Sequence, residues 1–220
     1  MQPFIEAISL TCGALLPIMN PFSTAPLFVS LTAGADAATR RRQALLGSLY
    51  AFAIMATFLL AGSAIVDFFG ISVPGIRIAG GLIIVTLGFR MLFPAPPAPA
   101  PASAPADAQA PAQDYDIAFA PIAMPSLAGP GSISVVLTAA AQIRSLYPED
   151  WIVIYLAVIL GMAAVLAFTY LVLLASGAMV KFMGKAGIDA MTRIFGFLLI
   201  SIGIQFLLTG VADFFHIKVG

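Results

Sequence analysis

The sequence predicts an all-α polytopic membrane protein with six transmembrane helices in two inverted three-helix repeats, spans one and four being broken at proline motifs. Three observations carry that prediction. Of the 220 residues, 61% are hydrophobic and 9% charged, against about 25% charged in soluble domains, and the mean hydropathy is +1.05. Six apolar stretches stand out, at 4–32, 44–66, 74–93, 117–142, 151–175 and 191–214, each near or above the roughly 20 residues that a spanning helix needs. The two halves also resemble each other. Pro17, Pro21 and Pro26 return 104 residues later as Pro121, Pro125 and Pro130, and the stretch from Arg77 to Ile84 matches that from Arg193 to Ile200 at five of eight positions.

Residues 1–93 therefore read as the first repeat, 94–114 as a linker and 115–220 as the second repeat. The first span has no basic leader region before it and carries Glu6, so it is expected to be retained rather than cleaved. It is long enough to cross, yet its prolines fall in the middle, where each ring removes an amide donor and clashes with the preceding turn. Non-helical backbone at that depth is tolerated only where protein or a watery cavity surrounds it, so the break should face inward. Asn20 precedes Pro21, and proline favours the first helical position, which makes Asn20 the expected N-cap of a half-helix starting there.

Spans two and three follow as plain apolar helices, the third opening at Arg77 and carrying Gly80 and Gly81; the small residues are expected to allow close helix packing. From Pro94 to Gln113 the chain is almost entirely Pro and Ala, with no hydrophobic periodicity, which reads as an extended linker. Span four repeats the first break with Pro125, Ser126, Gly129, Pro130 and Ser132, and its Gly-Pro-Gly is expected to let a ligand approach the backbone. Spans five and six close the second repeat, the sixth beginning at Arg193 beside Gly196.

Because each repeat holds an odd number of spans, the second enters from the opposite side and the repeat is inverted. Arg40, Arg41, Arg42, Arg90, Lys181, Lys185 and Arg193 fall on one side; Arg77, Arg144 and Lys218 fall on the other. The positive-inside rule then puts the linker in the cytoplasm and both termini outside. Asp67 with Phe68 and Phe69, and Asp213 with Phe214 and Phe215, read as interfacial anchors on the outer side.

The lipid bilayer is the expected main partner. A formal net charge of zero gives no footprint for nucleic acid. Cys12 is the single cysteine, so no intramolecular disulfide forms, and it reads as structural. No metal cluster, catalytic triad or phosphate loop is present, which points away from an enzyme and from any cofactor. Glu6, Asp67, Asp114, Asp116, Glu149, Asp150 and Asp213 lie near span ends or in loops, so no midplane carboxylate relay is evident. His216, just past the last span, is expected to be solvated.

The polar residues at the two breaks are the candidate substrate site: Asn20, Pro21, Ser23 and Thr24 on one side, Ser126, Gly129 and Ser132 on the other. Half-helix N-termini present free amides and a positive dipole end, suited to a carboxylate. Freed carbonyls and the Asn20 side chain would take an ammonium, so a small zwitterion fits. The bland alternative is that the prolines only kink helices and the hydroxyls bond back to carbonyls. Arg77 and Arg193, being ionisable residues at the starts of spans, are candidates for gating or substrate contact, or they snorkel to the interface.

The segments PIMNPFSTAPLF, GIRIAGGLIIVTLGFRM and PIAMPSLAGPGSIS resemble the signature stretches of the MarC family of multi-pass inner-membrane proteins, and the resemblance covers nearly the whole chain. It implies six spans in two inverted halves in a bacterial inner membrane. Through family members described as small neutral amino acid transporters, it also implies movement of glycine-like or alanine-like solutes as a secondary transporter or exporter. Protons are then the candidate coupling ion, and assembly into an oligomer is compatible with the fold. The alternatives are a passive channel for a small polar solute or ion, which the same breaks could build, and a non-transporting membrane scaffold.

Overall fold

The computed structural model describes residues 2–93 and 117–217, the side chains of 144 and 145 excepted. The Pro/Ala linker and Lys218 lie outside the described residues. The described chain is all helical: α1 Gln2–Met19, α2 Pro21–Leu31, α3 Ala37–Phe69, α4 Val73–Leu92, an irregular helical segment Ala118–Leu127, α5 Pro130–Leu146 and α6 Trp151–Phe214. Four of these helices are long and apolar enough to cross a membrane, and a fifth crossing arises if the pair Ala118–Leu127 and Pro130–Ile143, bent by 64°, counts as one span.

Helices α3 and α4 begin where the sequence supplies a side-chain cap. Asp36 accepts from the Thr39 amide at 2.9 Å and opens α3. Ser72 accepts from the Gly75 amide at 3.2 Å and opens α4, with Pro74 in its first turn. Gly70, at φ 62°, closes α3 in the left-handed conformation that glycine adopts without penalty.

The loops at 33–43 and 176–193 are far shorter than the charge pattern suggests. α3 begins at Ala37, and helix continues through Lys181, Lys185 and Asp189, interrupted only at Gly184 with φ 61° and ψ −179°. Charged residues mark where a helix leaves the hydrocarbon rather than where it ends: 33 residues of α3 make about 50 Å, against a core of about 30 Å. At Gly184 the two arms of α6 turn back on each other. Phe168 on the first arm and Phe195 on the second both pack on Phe22 of α2, with ring centroids 6.2 and 5.4 Å away.

The helices pack through small residues. A Cβ added at Gly81 would lie 2.7 Å from the Gly203 carbonyl oxygen, and one at Gly88 would lie 2.7 Å from that of Gly196. Glycines seven residues apart thus run along an antiparallel seam between α4 and the second arm of α6. Gly80 faces Ser134 of α5 instead. In lipid, such close approach replaces the hydrophobic drive as the main source of helix association. Elsewhere Gly47 seats Ile122, Gly62 seats Ala140, and Gly161 seats Thr11, so α3 packs on the segment 118–127 and α5, while the first arm of α6 packs on α1. The interior holds Leu15, Met55, Ile84, Met162 and Leu199, whereas Leu10, Leu60, Leu171 and Leu208 point outward, as a lipid-facing surface requires. The Phe68–Phe69 and Phe214–Phe215 pairs lie exposed at the ends of α3 and α6.

Candidate functional site: two helix breaks beneath a polar cavity

The first break is a single residue. Asn20 adopts φ 34° and ψ 72°, a left-handed conformation that asparagine tolerates better than most side chains. Its amide donates to Leu16 O at 3.1 Å, ending α1, and its carbonyl accepts from the amides of Ser23 and Thr24, beginning α2. The Oδ1 atom accepts from the Ser23 amide at 3.3 Å, so Asn20 is the N-cap of α2, with Pro21 at its first position. The Nδ2 donor contacts Met91 Sδ at 3.9 Å.

The second break is longer. Ala120 and Met124, each just before a proline, sit at φ −127° with ψ 126° and 124°, the extended region that a following proline favours. Wide turns bridge them: the Ile122 amide donates to Ile117 O at 3.2 Å and the Ala128 amide to Ala123 O at 2.8 Å. Gly129 then caps α5 without a side-chain bond, and Pro130 takes the first helical position. The two breaks match in their half-helix starts and differ in how the chain reaches them.

The break residues are tightly filled. Ser23 Oγ and Thr24 Oγ1 donate to Asn20 O at 3.1 and 3.4 Å, and Ser132 Oγ donates to Leu127 O at 2.9 Å, the back-bonding that hydroxyls make in membrane helices. Asn20, Thr24 and Ser132 are buried, Ser126 is half-buried and Ser23 is exposed. A Cβ at Gly129 would lie 2.6 Å from the Pro125 carbonyl oxygen, and one at Gly131 would lie 3.1 Å from both Ile18 and Leu87. The glycines expected to admit a ligand instead admit protein: Gly131 of the second break packs on Ile18 of the first.

Open space begins about a turn further along α5. A cavity of about 320 Å³ lies between α1, α4, α5 and both arms of α6, lined by Leu15, Val135, Val136 and Val158 among other apolar groups. Its polar wall comprises Thr11, Arg77, Thr138, Gln142, Gln205 and Thr209. The Arg77 guanidinium donates to Asp213 of α6 and to Gln142 of α5, tying three helices together, with its side chain 17% exposed and that of Asp213 43%. Gln205 Nε2 donates to Thr209 Oγ1 at 3.3 Å. Thr138 is 4% exposed, and its hydroxyl has no hydrogen-bond partner. Arg193, by contrast, is exposed on the second arm of α6 and does not line this cavity. Sequence reasoning found Arg77 but not Thr138, Gln142, Gln205 or Thr209, each a lone polar residue in an apolar run; two glutamines inside apolar helices were the signal available. Among the described residues no cluster of His, Cys, Asp or Glu could hold a metal.

A helical integral membrane protein with two broken helices meeting beneath a polar cavity is the class that these features define. The chain belongs to the MarC family: the model of the MarC family integral membrane protein matches residues 5–215. Among its relatives, the UPF0056 inner membrane protein MarC of Escherichia coli O139:H28 is 41% identical over 217 residues, covering 97% of each chain. The proteins of the same name from Citrobacter koseri and Salmonella typhimurium are also 41% identical, over 215 and 217 residues, again with 97% of each chain covered. No solved structure matches the chain significantly.

Proposed function

We propose that this protein carries small neutral amino acids across the inner membrane as a secondary transporter, with six spans in two inverted halves. The observation that carries the reading is the meeting of two proline-broken helices, Gly131 of one against Ile18 of the other, directly beside a cavity that mixes charged, polar and apolar walls. Broken helices at corresponding positions of two halves are how transporter folds build a substrate site near the midplane.

Counting the two arms of α6 separately, and α1 with α2 as one broken span, gives six crossings. The packing supports inversion: the second span of each half, α3 and the first arm of α6, lies against the broken span of the other half, as Gly47 on Ile122 and Gly161 on Thr11 show. Relatives named as inner membrane proteins support the location. The α5 start, which has no side-chain cap, and Asn20 Nδ2 offer donors to a carboxylate arriving from the cavity. Rocking of one half against the other would then expose the site to each side in turn, with protons as the candidate coupling ion.

Counterflow in proteoliposomes tests this. Vesicles preloaded with unlabelled alanine and given trace labelled alanine should show a transient overshoot, which a pH gradient modulates if protons are coupled. A channel gives no overshoot, and neither does a scaffold.

A further inference from the structure

The cavity beside the breaks has a composition that specifies its ligand. Arg77 lines the cavity and is paired with Asp213 beside it, so the pair is neutral overall while the wall offers one strong cationic donor. A lone cation or anion entering it would leave an uncompensated charge in a low-dielectric interior, which is costly; a zwitterion would not. Apolar surfaces from Leu15, Val135, Val136 and Val158 leave room for a short aliphatic side chain.

Thr138 points the same way. A threonine within a membrane helix ordinarily donates to the carbonyl four residues back, as Thr11 does to Ala7 and Thr169 to Val165, at 2.7 and 2.8 Å. Thr138 lines the cavity from inside α5, is more than nine-tenths buried, and makes no such bond. Nearby on the second arm of α6, the Gln205 amide donates to Thr209 and its Oε1 accepts from no described group. Two oxygen acceptors thus line the same cavity as the guanidinium.

We propose that this cavity binds a small α-amino acid zwitterion. Its carboxylate takes the Arg77 guanidinium in exchange with Asp213, and its ammonium donates to Gln205 Oε1 and Thr138 Oγ1. The inference rests on the transport reading above and assigns its loading site. Occupancy loosens the Arg77–Asp213 tie between α4 and α6, so loading and release of that tie are one event.

The test is alanine counterflow in proteoliposomes holding the full chain, with half-saturation measured for the protein, for Thr138→Val and for Gln205→Leu. Each variant removes one acceptor to a charged donor and should raise the half-saturation concentration about tenfold or more, with the maximal rate changed far less. Glycine should compete with labelled alanine, whereas alaninamide and propionate, each lacking one charge, should not. Gln205 is exposed, so its variant reports even if Thr138→Val fails to fold. Unchanged half-saturation in the folded variants, with counterflow intact in the parent, overturns this site and leaves the transport reading standing; so does equal competition by alaninamide or propionate. A parent without counterflow for any small amino acid overturns both.

Discussion

Asn20 performs two tasks with one side chain. Its left-handed backbone joins α1 to α2, and its Oδ1 caps the second helix while Nδ2 is left as a donor in a buried site. Asn20→Ala should lower stability by about 1 kcal/mol for the lost cap and abolish counterflow. Asn20→Ser keeps a capping oxygen and removes Nδ2, so it should recover most of the thermal stability and none of the transport; full transport by a folded Asn20→Ser protein rules out the donor role. Asp36 is a simpler cap, exposed at the start of α3. The Thr39 hydroxyl, then the Thr39 amide, hold its carboxyl below the ordinary carboxylate range. A lowered folded-state pKa means that the cap's stabilisation is complete above the unfolded-state value, about 4, and is lost as pH falls through the lower folded-state value. The gap in melting temperature between the protein and Asp36→Ala should therefore be widest near neutrality and close in strong acid.

At the level of elements, the helix breaks were legible because their cause is local: proline removes a donor wherever it stands, and an asparagine before proline makes a cap. The α4–α6 seam was half legible, since paired glycines announce close packing without naming the partner. Gly80 and Gly81 are neighbours in sequence yet face α5 and α6 respectively, a division that the helical turn imposes and only the assembled bundle reveals. The cavity was not legible, because Thr138, Gln142, Gln205 and Thr209 are brought together only by packing of α5 against both arms of α6. The seam carries its own prediction. A methyl at Gly88 would meet the Gly196 carbonyl oxygen at 2.7 Å and backbone cannot yield as a side chain can, whereas Gly13 has nothing within 4 Å of its added Cβ. Gly88→Ala should cost about 1–3 kcal/mol by forcing the helices apart, and Gly13→Ala should be neutral or mildly stabilising through helix propensity. Melting temperatures of the two detergent-purified variants decide it, and equal values would dismiss the seam as a determinant of stability. Since Gly196 shares the same contact, Gly88→Ala with Gly196→Ala should cost less than the sum of the two.

For the molecule as a whole, the arrangement of ends is the sharpest consequence of the fold. The antiparallel seam brings Pro74 beside Gly210, the bond between Arg77 and Gln142 joins the start of α4 to the end of α5, and Tyr155 Oη donates to Ala140 O at 3.2 Å. The turns near 70, 148 and 216 therefore share one end of the bundle, while the turn at 33–36 and the break at Gly184 share the other, beside Arg40, Arg41, Lys181 and Lys185. The positive-inside rule predicts the cytoplasmic side for the end where basic residues concentrate. The chain has one cysteine, Cys12, half-buried against Gly161, so a Cys12→Ser background permits single cysteines to be placed at will. Ala35→Cys and Gly184→Cys should resist a membrane-impermeant thiol reagent in intact cells and react after permeabilisation. Ile71→Cys and Ile217→Cys should react in both. Uniform protection of all four would mean that the turns do not reach water, and reversed protection would place the cavity's mouth in the cytoplasm, turning the loading site into a release site without altering its chemistry.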